Sequence, residues 1–381
     1  MIKLLLGDDS LRFMPVGELK GGEILGNCIM NSKGMVLMRE GSELSPKMIG
    51  KLSRYGIRSV YIKDPEMEPF LDETITDVID IALRNKSVEN IKTSFEKFEN
   101  QVKKQKRNLK YGNSGILLCE GLKKTSMNLI KEILTSKNTN VNMLDIKSIV
   151  DYRFEHSVNV AVLSIIIGVE MGLELNELED LTYGALLMDI GFSRIDDDIV
   201  KKEGKLNQSE QEAMREHVKI GYSHINENTT FNAHVKSILM HHHERIDGSG
   251  YPNGIKGDEI HYLAKIVMIA DVYDALTSDR SYRPAYNPHE AIEHIMANAG
   301  VLYDFDIARI FARKVIPYPV GTYVLLSNSQ KGVITMNNSD HPLRPKLRTF
   351  GKSSYTSVNK ISMDLLEKNN VTIHKVVYSL N

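Results

Sequence analysis

The chain is short of several things. Among 381 residues there are 2 cysteines and no tryptophan, aromatic residues make up 7%, and the formal net charge is -1. Having only Cys28 and Cys119 argues against a disulfide framework and fits a reducing cytoplasm. The near balance of 48 Lys+Arg against 49 Asp+Glu provides no global field that would draw the chain to a nucleic-acid polymer or an acidic membrane. Any anionic ligand must therefore be held by a local site. Long apolar runs are also lacking. The stretch Val158 to Val169 is interrupted by Asn159, Ser164 and Gly168, is too short to span a bilayer, and is expected to be a buried helix. Asp8 and Asp9 follow Leu4-Leu5-Leu6, which is not a signal-peptide layout. The absence of tryptophan excludes nothing by itself. What remains is ordinary for a globular protein: 42% hydrophobic and 25% charged residues, in a length that argues for two or three domains.

Periodicity divides the chain. Residues 12–63 alternate short apolar runs with glycine turns, and Val36-Leu37-Met38 and Val60-Tyr61-Ile62 are expected as strands. Ser45 and Pro46 have the order of an N-cap followed by a first-turn proline. A polar helical stretch follows, ending in the basic run Lys103-Lys104-Gln105-Lys106-Arg107, expected as a solvated helix face leading into a linker. Helix-length apolar periodicity then predicts helices over 145–172, 176–190, 208–226, 231–243, 261–278, 288–299 and 304–314. After Pro317 the pattern changes to two strands, around 320–326 and 331–335, with a third candidate at 371–377. The expected organisation is a small β-rich N-terminal module (1–65), a helical linker (66–115), a helical domain (116–315) and a small β-rich C-terminal module (316–381). The fold class is mainly α with small β flanks.

The chemistry concentrates in His241-His242-His243-Glu244-Arg245, followed by Asp247-Gly248-Ser249-Gly250-Tyr251-Pro252. Adjacent histidines beside a carboxylate can supply nitrogen and oxygen ligands to a metal, and the glycine-proline segment must leave the helix as a loop. His156, Asp189, His217, His241, His242, His243, Asp271 and Asp274 mostly fall at or near the ends of predicted helices. Helices in a bundle can converge such residues on one point. Asp189 can bridge two metals. Asp271 and Asp274, at i, i+3 spacing, can divide the work between binding a metal and orienting a ligand. Taken singly, each has an ordinary structural explanation; together with the histidine run they point to a metal centre.

These residues resemble the HD-GYP family, a branch of the HD hydrolase superfamily, over about residues 145 to 315. The resemblance lies in His242-His243-Glu244-Arg245, the Asp247–Pro252 loop, Ile269-Ala270-Asp271-Val272-Tyr273-Asp274, Arg280-Ser281-Tyr282-Arg283 and the lead-in His156-Ser157-Val158. The flanks also resemble modules found beside such domains, the C-terminal one through Tyr318-Pro319-Val320-Gly321-Thr322. The resemblance implies an HD-type helical bundle that hydrolyses cyclic-di-GMP to linear dinucleotide or GMP, using two or three divalent metals, often iron or manganese. By position, it implies His156, Asp189, His217, His242, His243 and Asp271 as metal ligands, with Asp189 bridging. It implies Tyr251 as a residue shaping the substrate site and Arg280 and Arg283 as ligand-holding groups. Asp274 is open between a proton-transfer role and orienting water.

The chain departs from the family at the signature. Where the family has His-Asp-Ile-Gly-Lys, this sequence has Met188-Asp189-Ile190-Gly191-Phe192. A thioether is a weak ligand for hard metals, so one of the two expected metal sites is weakened by Met188. Loss of the lysine removes a phosphate-binding cation. The expectation is a weakened cyclic-di-GMP phosphodiesterase. The alternatives are a catalytically inactive cyclic-di-GMP receptor or signalling scaffold, and an HD hydrolase acting on another nucleotide. A homodimer and a signalling protein partner are compatible with either of the first two.

Overall fold

The computed structural model describes residues 11–30, 35–55, 57, 59–63, 78–108, 114–136, 152–200, 202, 204–278, 286–338, 340–349 and 361–377. The chain divides into two compact units. One comprises Met1–Asp77, Asn140–Val150 and Val315–Asn381; the other comprises Val78–Thr139 and Asp151–Lys314.

The first unit is built from the two ends of the chain. Its N-terminal part holds β1 (Leu11–Pro15), β2 (Ile24–Leu25), β3 (Ile29–Met30), β4 (Val36–Met38), α1 (Pro46–Arg54) and β5 (Ser59–Lys63). β5 is the centre of an antiparallel sheet ordered β1-β5-β2, and β3 pairs with β4. The α1 cap forms as its sequence predicts: the Ser45 hydroxyl accepts from the Met48 amide at 3.3 Å, with Pro46 in the first turn. The C-terminal part holds β6 (Tyr323–Leu326), β7 (Lys331–Met336), β8 (Lys346–Thr349), β9 (Ile361–Asp364) and β10 (Ile373–Val376) in one antiparallel sheet ordered β10-β6-β7-β8-β9. Its core is Val324, Ile334, Leu347 and Leu365. The two parts touch. Gly321 has φ +87°, and a Cβ there would lie 2.6 Å from the Leu11 carbonyl oxygen. Only glycine meets both demands. Sequence order alone, which sets these modules at opposite ends, gives no sign that they share a unit.

The second unit is helical: α2 (Ile81–Asn108), α3 (Ser114–Thr135), α4 (Tyr152–Glu170), α5 (Leu175–Leu187), α6 (Asp197–Val200), α7 (Gln208–Arg215), α8 (His217–Asn228), α9 (Ala233–His241), α10 (Tyr262–Leu276), α11 (Pro288–Ala297) and α12 (Phe305–Lys314). α4 and α10 are its centre. Every residue of α10 from Leu263 to Asp271 is buried, which is why its sequence is apolar on all sides rather than striped. α2 departs from the solvated linker expected of it. Val88, Ile91, Phe95 and Phe98 recur at three- and four-residue spacing, are all buried, and pack the helix onto α3 and α4. A fully buried side chain such as Phe98 contributes roughly 1.5–3 kcal/mol. The predicted helix over 208–226 is broken into α7 and α8 at Glu216, so that His217 opens a helix instead of lying inside one. Among the described residues, no helix is long and apolar enough to cross a membrane.

Candidate metal centre

Three segments of the helical unit bring their ends to one place. Asp189 follows α5, His217 opens α8, and His242 and His243 follow α9. One ligand atom from each of these four residues lies within 4.8 Å of every other. The approach depends on glycine. A Cβ on Gly191 would lie 1.9 Å from the His217 carbonyl oxygen and 2.7 Å from the Gly221 amide nitrogen, so the turn after Asp189 can lie on α8 only without a side chain.

Hydrogen bonding sets the tautomers. His217 Nδ1 donates to the Met214 carbonyl at 2.6 Å, and His242 Nδ1 donates to the Leu239 carbonyl at 3.0 Å. Both Nε2 atoms therefore carry lone pairs, both are buried, and neither has a hydrogen-bond partner. Bare buried acceptors are costly unless something electrophilic meets them. Burial lowers the pKa of His217 to about 4, only partly opposed by Met214 and Asp271. Burial also lowers His242 and His243. The three imidazoles are thus neutral near pH 7, the form that binds metals. Asp189 is 13% exposed and His243 19%, so these two line the open side of the cluster. This donor set, three neutral imidazoles and a carboxylate, fits a divalent metal ion.

The other half of the centre is arranged differently. His156 on α4 donates from Nδ1 to Asp274 Oδ2 at 2.6 Å, and Asn159 donates to Asp274 Oδ1 at 3.1 Å. His156 Nε2 lies 3.1 Å from Asp271 Oδ1 and 3.7 Å from Asp189 Oδ2. Asp271 also approaches His243 Nδ1 at 3.4 Å. Burial opposes the charge on Asp271, but His156 and His243 hold its carboxyl far below the usual carboxylate range. Met188, the departure from the family signature, is buried at 1% exposure and offers no hard donor. Asp274 is fully buried with its carboxylate engaged by His156 and Asn159, a placement that suits a residue orienting His156 rather than one exchanging protons with a ligand.

Aromatic rings flank the cluster. Phe192 stacks on the His217 imidazole, centroids 4.0 Å apart and planes 10° from parallel. Tyr251 lies 4.8 Å from the His243 ring. Its loop folds back on the histidines through the Tyr251 amide donating to the His243 carbonyl at 3.2 Å and the Asn253 amide donating to Glu244 Oε1 at 2.8 Å. Gly250 permits this, since a Cβ there would meet the Glu244 backbone at 2.4 Å. Burial, then the charges of Asp271 and Asp189, raise the Tyr251 phenol, which keeps it protonated. Arg280 and Arg283, expected to hold a ligand, lie outside the described residues. His241 stands apart from the cluster, 3.2 Å from the Ser237 hydroxyl.

Sequence reasoning missed Asn159, although it sits three residues after His156 on the same helix face. It also missed Glu99 of α2. Glu99 accepts from the Ser193 hydroxyl at 2.8 Å, contacts Arg194 at 3.4 Å, and lies 3.0 Å from His224 Nε2, seven residues beyond His217. One carboxylate thus ties the turn after Asp189 to α8. Burial works against its charge, but His224, Ser193 and Arg194 prevail and bring it to about 2.

Two stretches of the chain match known families. Residues 129–307 match the HD domain family and residues 323–379 match the KOW domain associated with HD domain. The helical unit is thus similar to the HD domain family over most of its length. Its Gly250-Tyr251-Pro252 loop, set against the histidine pair, resembles that of HD-GYP domains. The chain is 34% identical over 218 residues to Cyclic di-GMP phosphodiesterase PA4108 of Pseudomonas aeruginosa, covering 57% of this chain and 52% of that protein. It is 38% identical over 136 residues to the Cyclic di-GMP phosphodiesterase response regulator RpfG of Xanthomonas campestris, covering 35% of this chain and 36% of that one. It is 38% identical over 130 residues to 3'3'-cGAMP-specific phosphodiesterase 2 of Vibrio cholerae, covering 34% of this chain and 25% of that protein. The chain thus spans about half the length, or less, of these relatives.

Proposed function

We propose that the chain is a metal-dependent phosphodiesterase that hydrolyses cyclic-di-GMP to linear dinucleotide or GMP. The observation that carries this reading is the pair of buried, partnerless Nε2 atoms of His217 and His242, aimed with His243 at Asp189. Asp189, His217, His242 and His243 would hold a divalent ion, with iron or manganese the expected metals. His156 and Asp271 are the donors left to a second site, which Met188 weakens. A bound ion would polarise a phosphate oxygen and make water a stronger acid. The protein's own contribution is positional. The carbonyls of Met214 and Leu239 hold the imidazoles in the binding tautomer, Asp274 and Asn159 hold His156, and the protonated Tyr251 faces the carboxylates as a donor for an incoming oxygen. Relatives named for cyclic-di-GMP and for 3'3'-cGAMP support a cyclic dinucleotide as substrate. The unpaired Cys28 and Cys119 suit work in the cytoplasm.

Two features favour a second reading, in which the chain binds the dinucleotide without cutting it and signals to a protein partner or as a homodimer. Met188 supplies no hard donor, and Phe192 occupies the place of a cation whose loss costs about 10²–10³ in rate. One experiment separates the readings. Protein purified without added metal is analysed for metal content, then incubated with manganese or ferrous iron and either cyclic-di-GMP or 3'3'-cGAMP. Turnover of cyclic-di-GMP with at least one metal per chain is the expected result. Tight binding of an unchanged nucleotide at the same occupancy overturns the enzyme reading in favour of the receptor. Preferential turnover of 3'3'-cGAMP keeps the enzyme and corrects the substrate.

A further inference from the structure

The site lacks the lysine of its family, yet a phosphodiester is an anion and the cluster around it is rich in carboxylates. One cation stands where it could answer this. Arg215 is the last residue of α7, two positions before His217, and its side chain is exposed. Its guanidinium carbon lies 5.2 Å from the centroid of Tyr251, on the ring that in turn lies 4.8 Å from His243. Among the described residues, no carboxylate pairs with it. The neighbouring charges are spoken for, with Lys219 facing Glu216 at 3.3 Å.

We propose that Arg215 is a phosphate-binding residue of this site, placed by the face of Tyr251 and standing in for the cation that Phe192 replaces. A guanidinium over an aromatic face is attracted by the ring while its N–H donors, which lie around its edge, remain available. A phosphate oxygen can then be bound bidentately, which an ammonium at position 192 could not do. Tyr251 then serves two neighbours, since its ring lies both against the His243 imidazole and beneath the cation. Phe192 cannot supply charge, but its ring covers His217 as Tyr251 flanks His243. The inference rests on the phosphodiester reading above but not on which nucleotide is cut.

The test uses the full chain loaded with manganese. Binding of bis(4-nitrophenyl) phosphate, a diester without a nucleobase, is followed by paramagnetic broadening of its ³¹P signal, beside binding of cyclic-di-GMP. Arg215→Ala is expected to leave manganese content and thermal midpoint as in the parent and to weaken diester binding about tenfold or more, the loss typical of a charge-assisted hydrogen bond. Arg215→Lys should recover part of the binding, and adding Phe192→Lys to Arg215→Ala should recover most of it. Unchanged diester affinity in Arg215→Ala overturns the proposal, as does a parent protein that binds no diester. Loss of manganese in that variant also overturns it, since Arg215 would then be supporting the fold. Absent cyclic-di-GMP turnover together with a diester loss in Arg215→Ala removes the substrate reading and leaves Arg215 in its role.

Discussion

The two halves of the centre share Asp189 but differ in what their imidazoles face. On one side His217 and His242 give their Nδ1 protons to nearby backbone carbonyls and turn bare Nε2 atoms inward. On the other side His156 gives its Nδ1 proton to Asp274 and sets Nε2 against the carboxylates of Asp271 and Asp189. The first half has unmet acceptors, which a metal ion would satisfy. The second anchors His156 through Asp274 and sets its Nε2 against carboxylate oxygens, an acceptor-to-acceptor contact that a proton or a cation would relieve, and Met188 adds no hard donor there. The lesson is that a substitution at one ligand position need not empty a site. The hydrogen bonds from His156 and Asn159 to Asp274 keep the geometry of one half, while the other half keeps four candidate donors together.

The strongest way to break this comparison is to remove a bare nitrogen. His242→Ala should lower manganese affinity by at least about 100-fold, since even residues supporting a ligand are worth 10–100-fold; titration calorimetry reads this directly. Next in size is the packing that brings Asp189 onto α8. Gly191→Ala, which would place a carbon 1.9 Å from the His217 carbonyl, should cost about 3 kcal/mol or more in urea unfolding, because a backbone clash forces the turn away. A parent-like midpoint would show that the turn can shift without cost.

A pH series sharpens the contrast through the neutral imidazoles. The folded pKa of His217, about 4, lies below the ordinary value of 6.5, so its contribution to stability is present above pH 6.5 and is lost as pH falls toward 4. In metal-free protein this amounts to roughly 3 kcal/mol at most. Urea midpoints that are flat between pH 7 and 4.5 in the presence of chelator would contradict the buried neutral state. Smaller again is the gain from restoring a donor. Met188→His should add up to one further manganese per chain by metal analysis, without changing affinity at the first site. The smallest effect is expected from His156→Ala, whose manganese affinity at the four-donor site should fall by less than about tenfold, because of the four donors it approaches only Asp189, at 3.7 Å. A loss as large as that of His242→Ala would show that the halves act as one.

Much of this was legible in the chain. Asn287-Pro288 announces the start of α11, Ser45-Pro46 that of α1, and the apolar sequence of α10 announces a helix buried on all sides. The histidines and aspartates were recognisable because they cluster at helix ends, where a bundle can converge them. Less legible was α2, whose polar residues disguised the packing of Phe95 and Phe98 and the reach of Glu99 to Ser193 and His224. Nothing local marks a carboxylate as the tie between two elements that come roughly a hundred residues later.

By itself the sequence determined most element types, the candidate donor residues and the two positions, Met188 and Phe192, where the HD-GYP pattern is changed. These are properties of residue type and short-range spacing. Only the tertiary structure decided which nitrogens remain bare, that Asp274 stands behind His156, that Arg215 lies over Tyr251, and that the two β flanks form one unit. Each of those depends on a partner brought from far along the chain. A lone pair becomes a metal donor, and a cation an anion-binding group, only once packing has settled which neighbours they meet and which they do not.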